Sequence, residues 1–358
     1  MKKPGKRKRA DGAEQEKTEV FMFGKKTKGN YVWGMVLFLT VSMLLSGCQK
    51  KPQETEETSN ENIVVGFSQV GAESDWRVAN TESMLSTFSE ENGYELLYDD
   101  AKQKQENQIA AIRNFILQGV DYIVVAPIIE SGWDAVLQEA KDAGIPVIVV
   151  DRMIDTDEEL FTAWVGSNTY WEGETAAHWL AEYLQEQGRD QEEISILHVM
   201  GTLGATPQIG RTSGLEAGAR KNSNWKIIAQ VEGEFTQAKG YEVVAEVLKT
   251  NQDIDVVYCE NDNSAFGAIE ALEEAGIPCG KEEGVIIISF DATRAGLTAC
   301  LEGQISLNVE CNPLHGPRVE KIIQQIEAGQ TPEKMYYVEE AYFQAEDLTA
   351  EFIEERAY

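Results

Sequence analysis

The chain has 358 residues, 42% of them apolar, with 31 Lys/Arg against 61 Asp/Glu and a formal charge of -30. That length exceeds one hydrophobic core and sets two domains as the expectation, and the apolar content excludes a disordered chain. Residues 1–48 carry ten Lys/Arg and four Asp/Glu, so the remainder stands at -36; such a body repels nucleic acid and anionic lipid.

Val32 to Ser46 is one apolar run of fifteen residues without a charge, preceded by Lys25, Lys26 and Lys28. It falls short of the roughly 20 residues that span a bilayer, and the basic flank followed by an apolar stretch is the pattern of an export signal. The run ends in Leu45-Ser46-Gly47-Cys48. This resembles the bacterial lipobox, which implies cleavage before Cys48 and a lipid on its thiol. Residues 1–21 add nothing that export needs, and Met22 would open a compact signal, so translation is expected to start there. Residues 1–48 are therefore expected to be a lipoprotein signal. Residues 49–62 are polar and free of aromatics, and read as a flexible tether. The chain is expected outside the cytoplasm, lipid-anchored to the outer face of the cell membrane.

From Ile63 onward short β-branched runs alternate with amphipathic stretches of helical length. IVVGFS, YELLYD, DYIVVAP and PVIVVD read as strands, separated by helices near 76–91, 105–118 and 133–143. The nearly continuous apolarity of DYIVVAP fits a strand covered on both faces. The rhythm restarts near residue 167, with a helix over 170–187, the strand ISILHVM and a helix over 207–221. WKIIAQV, a helix over 237–250, DVVYCE, a helix over 263–275 and GVIIISFD follow. The expected fold is α/β, with two doubly wound parallel sheets.

In such sheets ligands bind beyond the carboxyl ends of the strands. There the sequence places Glu73, Trp76 and Arg77 after the first strand, and Asp151-Arg152 after the fourth. Arg211 follows a Gly/Thr-rich loop, Asn261 follows DVVYCE and Asp291 ends VIIISF. Carboxylate, amide and guanidinium groups match paired sugar hydroxyls, and an indole suits the C–H face of a sugar ring. Each has a plainer reading: Asp or Asn after a strand caps the next helix, Asp151-Arg152 is a surface pair, Arg211 is solvated and Trp76 is core. Five strand ends carrying the same chemistry favour a hydroxyl-binding cleft.

Of five cysteines, Cys259, Cys279, Cys300 and Cys311 show no CxxC spacing and are compatible with zero, one or two disulfides. His178, His198 and His315 lie far apart, so no metal motif is visible, and no cofactor is expected. An enzyme using Asp151 and Asp291 on a glycosidic bond is conceivable, but no nucleophile, metalloprotease or phosphate-loop motif supports it. No enzymatic activity is expected.

The segments GFSQVGAESDWR, QKQENQIAAIRNFILQGVDYIVVAP, GWDAVLQEAKDAGIPVIVVDR and GEFTQAKG carry a family likeness. From about Ile63 to Gly329 the chain resembles the type I periplasmic sugar-binding proteins, the ribose/galactose class. Within that class it resembles the galactofuranose-binding proteins of ABC transporters, chiefly through the VGAESDWR loop. The resemblance implies a monomeric, lipid-anchored solute-binding protein that hands a monosaccharide to a permease, or else presents it to a membrane histidine kinase. It implies ligand contacts from Glu73, Trp76, Arg77, Asp151, Arg152, Arg211, Asn261 and Asp291. Asp75 stands where the family more often has Gly, which implies an effect on which furanose fits. Two lobes are implied, 63–166 with 313–330 and 167–312 with 331–358, joined by three chain crossings.

Overall fold

The computed structural model describes residues 62–280 and 284–358; the expected signal, Cys48 and most of the tether lie outside them. Nine segments build the first lobe: β1 (Ile63–Gln69), α1 (Asp75–Thr87), β2 (Tyr94–Asp100), α2 (Gln105–Gln118), β3 (Tyr122–Val125), α3 (Asp134–Asp142), β4 (Val147–Val150), β5 (Ala163–Gly166) and, much later, β11 (Met335–Tyr337). Its sheet runs β11-β5-β4-β3-β1-β2 and every pairing is parallel. The helix α9 (Gly316–Glu327) returns to pack its Val319, Ile322 and Ile323 into this lobe's core.

The second lobe begins with α4 (Thr169–Glu186), β6 (Ile194–Met200), α5 (Thr206–Lys221), β7 (Trp225–Glu232) and α6 (Gln237–Leu248). It continues through β8 (Val256–Cys259), α7 (Asp262–Glu274), β9 (Ile286–Asp291), α8 (Arg294–Leu301) and β10 (Leu307–Glu310), and closes with β12 (Tyr342–Phe343) and α10 (Ala350–Glu355). The strand order is β12-β10-β9-β8-β6-β7, with only β12 antiparallel. Both sheets have apolar clusters on each face, which is why their central strands read as unbroken apolar runs rather than alternating ones.

Local chemistry sets the helix ends. Ser74 caps α1 by accepting from the Arg77 N–H at 3.2 Å, and Asn168 caps α4 by accepting from Trp171 N–H at 3.1 Å. α2 stops at Gly119, whose φ of 68° a residue with a Cβ adopts reluctantly. The helix expected over 76–91 ends at Thr87 and is followed by a short 3-10 turn over Glu90–Asn92.

The expected lobe boundary at residue 331 moves. Met335–Tyr337 pairs with β5 in the first lobe, and Trp164 N–H donates to Lys334 O while Val338 N–H donates to Gly166 O, each at 2.9 Å. The cause is the exposed edge that β5 would otherwise present, together with Met335 and Tyr336 packing on first-lobe cores. The three crossings thus fall at 166–169, 311–315 and 338–341. All four cysteines among the described residues are free thiols. No helix among those residues is long and apolar enough to cross a membrane.

Candidate functional site

The carboxyl ends of both sheets face one small cavity. Its lining contains all eight residues singled out from the sequence, four additional ones being Ser74, Pro207, Phe235 and Cys311. Glu73, Trp76 and Arg77 come from the loop after β1 and the first turn of α1. Asp151 and Arg152 follow β4, Arg211 projects from α5, and Asn261 and Asp291 end β8 and β9.

Ion pairs organise the first-lobe side. Arg77 Nε donates to Glu73 Oε1 at 3.0 Å, and its Nη2 lies 2.7 Å from Asp151 Oδ2. Arg77 Nη1 also donates to Gln69 Oε1 at 3.2 Å. Arg152 Nη1 donates to Ile128 O at 2.7 Å, while the Arg152 guanidinium stays 3.8 Å from both Glu73 and Asp151. Burial opposes the Arg77 cation, but Asp151 and Glu73 outweigh it and raise its pKa above the usual arginine range. Arg152 goes the other way: burial first, then the Arg77 charge, bring it down to about 10. Burial would raise the Asp151 carboxyl, yet Arg77 and Arg152 hold it below the ordinary aspartate value.

On the second lobe Arg211 is held by Glu172. Its Nε donates to Glu172 Oε2 at 2.6 Å and its Nη1 donates to Glu260 O. This contact depends on glycine. Gly210, Gly214 and Gly218 recur every four residues on α5, and a Cβ at Gly214 would stand 2.1 Å from the Gly173 carbonyl carbon of α4. The two helix backbones therefore touch, and Glu172 and Arg211 are neighbours because of it. Below them Glu260 Oε1 lies 2.8 Å from His198 Nε2, and its Oε2 accepts from Gly201 N–H at 2.7 Å, fixing the loop after β6.

The two strand-end carboxylates share a backbone feature. Asp151 has φ 64° and Asp291 has φ 109°, left-handed values that cost about 1–3 kcal/mol each for a residue with a side chain. Both thereby turn sharply out of their strands. Burial, only partly offset by Arg211, lifts the Asp291 carboxyl well above the aspartate range.

Several plainer readings hold in part. Asn261 does cap α7, accepting from Ser264 N–H at 3.0 Å, and its amide donates to Phe235 O at 3.0 Å, although it also lines the cavity. Asp262 is wholly structural: buried, it accepts from Ser289, Thr293 and Asn308. Asp75 is exposed and is not among the lining residues; its backbone N–H donates to Asn263 Oδ1 across the lobes at 3.0 Å. Its carboxylate is therefore not placed to select a ring. The Trp76 indole carries the Arg77 guanidinium over it at 4.6 Å and donates to Cys311 O at 2.6 Å. Phe235, which sequence reasoning missed, is 5% exposed, adopts φ 61° and packs against Arg152 at 5.3 Å.

Four buried polar atoms of the lining residues lack a hydrogen-bond partner, Glu73 Oε2, Asp151 Oδ2, Arg152 Nε and Arg211 Nη2, the last three having only ion-pair contacts with Arg77, Asp151 and Asp291. Such atoms are costly unless something bonds them. The lining carries three carboxyl groups and three guanidinium groups, a balanced set suited to a neutral polyol rather than an ion. Away from the hinge the lobes are latched: Glu130 N–H donates to Gly204 O at 3.1 Å, and Thr206 Oγ1 donates to Glu130 Oε1 at 2.7 Å while accepting from Met153 N–H at 2.8 Å. Glu172, Cys311 and Glu340 bring carboxylate and thiol atoms within 4.8 Å of one another, but Arg211 already neutralises Glu172, and the group does not fit a metal ion.

Fold and site together define a two-lobed binding protein closed over a small cavity. Residues 65–313 match the family described as periplasmic binding protein domain, and the chain belongs to that family. It is 37% identical over 278 residues to the galactofuranose-binding protein YtfQ of Escherichia coli, spanning 76% of this chain and 85% of that one. A Mycobacterium smegmatis protein solved in complex with β-D-fucofuranose shares 41% identity at a TM-score of 0.76, covering 80% of this chain and 92% of its own. The periplasmic binding component of the arabinose ABC transporter from Shewanella sp. ANA-3, solved with α- and β-L-arabinofuranose, shares 37% identity at a TM-score of 0.76, covering 82% and 95%.

Proposed function

We propose that this chain captures a neutral monosaccharide in its furanose form, galactofuranose or a close relative, and delivers it to an ABC permease from a lipid anchor on Cys48 outside the cytoplasmic membrane. The observation that carries the reading is the convergence of buried Glu73 Oε2, Arg152 Nε and Arg211 Nη2, none with a hydrogen-bond partner, on one electrically balanced cavity. Each is a hydroxyl partner in waiting, and together they come from both lobes. A sugar satisfying them ties the lobes shut, which is hinge closure, and the closed form is what a permease would recognise. Relatives at 36–41% identity that were solved with furanoses, or are described as galactofuranose-binding, support the ring form. Trp76 from one lobe and Phe235 from the other offer apolar surface to the ring's C–H groups.

A thermal-shift screen of the protein against pentoses, hexoses, polyols and sugar phosphates tests this. Ligand at 100-fold over its Kd adds about 2.7 kcal/mol, so a neutral sugar should raise the melting midpoint and its phosphate should not. A screen in which only charged compounds act would refute the reading.

A further inference from the structure

The three chain crossings between the lobes meet at one polar cluster that sugar binding by itself does not call for. Ser167, in the first crossing, donates from Oγ to Glu340 Oε1 at 2.5 Å, and its Oγ lies 3.3 Å from Cys311 Sγ. Asn312, in the second, donates its N–H to the same Glu340 oxygen at 2.7 Å. Glu340 itself sits in the third. Glu172 completes the group from α4: one of its oxygens holds Arg211, and the other, Oε1, is buried without a partner. Two carboxyl groups and a thiol therefore share a small space, with the Arg211 cation against them.

We infer that Glu340, with Glu172 and Cys311, forms a proton-sharing cluster that knits the three crossings and links lobe closure on the sugar to uptake of one proton. Two adjacent carboxylates shielded from solvent cannot both stay ionised without repulsion. A proton on one of them removes that repulsion. Glu172 and Cys311 are buried whereas Glu340 retains partial contact with solvent, so Glu340 is the member through which the proton exchanges. Opening rotates the crossings, separates Ser167 and Asn312 from Glu340, and lets water solvate the ionised carboxylate. The same cluster reaches the cavity through the Glu172–Arg211 pair, which gives ligand and proton a common element to bias.

The electrostatics agree in direction. Burial, and then the Glu172 charge, push the Glu340 carboxyl up to about 8, with Arg211 and the Ser167 and Asn312 bonds opposing. Burial also raises Glu172, against Arg211. Burial, Glu172, Glu340 and Asp291 raise the Cys311 thiol, which stays neutral. The charged and titratable groups facing Glu340 are Glu172 on α4, Cys311 after β10 and Arg211 on α5, with Asp291 at the end of β9 and Tyr358 at the C-terminus facing Cys311. A carboxyl that binds its proton more tightly in the closed form favours closure at low pH and loses that contribution as pH rises through about 8.

This rests on the proposed sugar binding, and the test separates the two. Calorimetric titration with the sugar that gives the largest thermal shift, repeated in buffers of different ionisation enthalpy, should show uptake approaching one proton per sugar near pH 7. Affinity should fall roughly tenfold between pH 7 and pH 9. Glu340→Gln keeps the acceptor for Ser167 and Asn312 but cannot titrate, so it should bind sugar at pH 7 and lose both effects. A ligand-free arm covers the case of no sugar binding: the radius of gyration from small-angle X-ray scattering should grow as pH rises from 5 to 9 in wild type and stay constant in Glu340→Gln. Sugar binding with identical pH dependence in both proteins, or a wild-type radius of gyration that does not change with pH, overturns the cluster while leaving the sugar assignment standing.

Discussion

Arg77 Nη2 and Asp151 Oδ2 stand 2.7 Å apart with side chains 3% and 5% exposed, a buried ion pair on the first-lobe wall of the cavity. Breaking such a pair from one side strands a charge and costs about 3–5 kcal/mol. Asp151→Ala is therefore expected to destabilise the protein as well as to end sugar binding, the more so because alanine fits φ 64° poorly. Asp151→Asn keeps the shape and tolerates that backbone, and should retain more of the melting midpoint while binding sugar at least 100-fold more weakly. Chemical denaturation alongside titration distinguishes the two variants; equal sugar affinity in Asp151→Asn and wild type would remove Asp151 from the site.

Arg152 presents the opposite balance. Burial and the neighbouring Arg77 depress it to about 10, so its cation is disfavoured in the folded protein and is held there for something other than stability. Arg152→Met should bind sugar at least 100-fold more weakly, yet melt at or above the wild-type temperature without ligand. Trades of this kind are common at binding sites. A large loss of ligand-free stability would mean that Arg152 is structural.

The closeness of α4 and α5 is a glycine effect. Gly214→Ala places a methyl 2.1 Å from the Gly173 backbone, and the helices must part. Overpacking of this sort costs about 1–3 kcal/mol, and it displaces Arg211 from Glu172. The expected result is a lower melting midpoint together with weaker sugar binding. Gly218→Ala, which would meet the Ala177 methyl and the Trp225 ring at 2.8 Å, should affect stability more than affinity because it lies two turns from Arg211.

His315 predicts an acid limb. Burial brings it down to about 4, with Asp151 only partly opposing, and its Nδ1 lies 3.2 Å from the Asn80 amide nitrogen. The unfolded chain takes up this proton near pH 6.5 and the folded one does so only near 4. Stability contributed above pH 6.5 is therefore lost as pH falls toward 4, by about 3 kcal/mol. His315→Gln should flatten that part of the melting-midpoint profile; parallel profiles for wild type and variant would contradict it.

Much of this was legible in the sequence because β-branched runs and polar strand ends report local facts. α2 falls over Gln105–Gln118 as its apolar spacing requires, and all eight candidate residues line one cavity. What was not legible depends on partners distant in sequence. Glu172 is one of several carboxylates in α4, with nothing in the sequence to single it out, and its burial depends on Gly210 and Gly214 admitting α5. Phe235 follows a charged residue in a loop, with no periodicity to mark it. β11 is three residues long and finds its sheet only through the free edge of β5. Asp75 stands beside lining residues, and the effect on the furanose that the resemblance implied has no contact behind it, because the turn that starts α1 carries Asp75 outward.

The central claim is that a neutral furanose lies between the lobes, held by Arg77–Asp151, Arg152 and Arg211. The carbon-13 spectrum of galactose labelled at C1, taken with a stoichiometric amount of protein, tests it directly, because the anomeric carbon resonates differently in furanose and pyranose rings. The account predicts a bound resonance in the furanose region that disappears with Asp151→Asn. A bound pyranose signal, or a furanose signal that Asp151→Asn leaves intact, would contradict it.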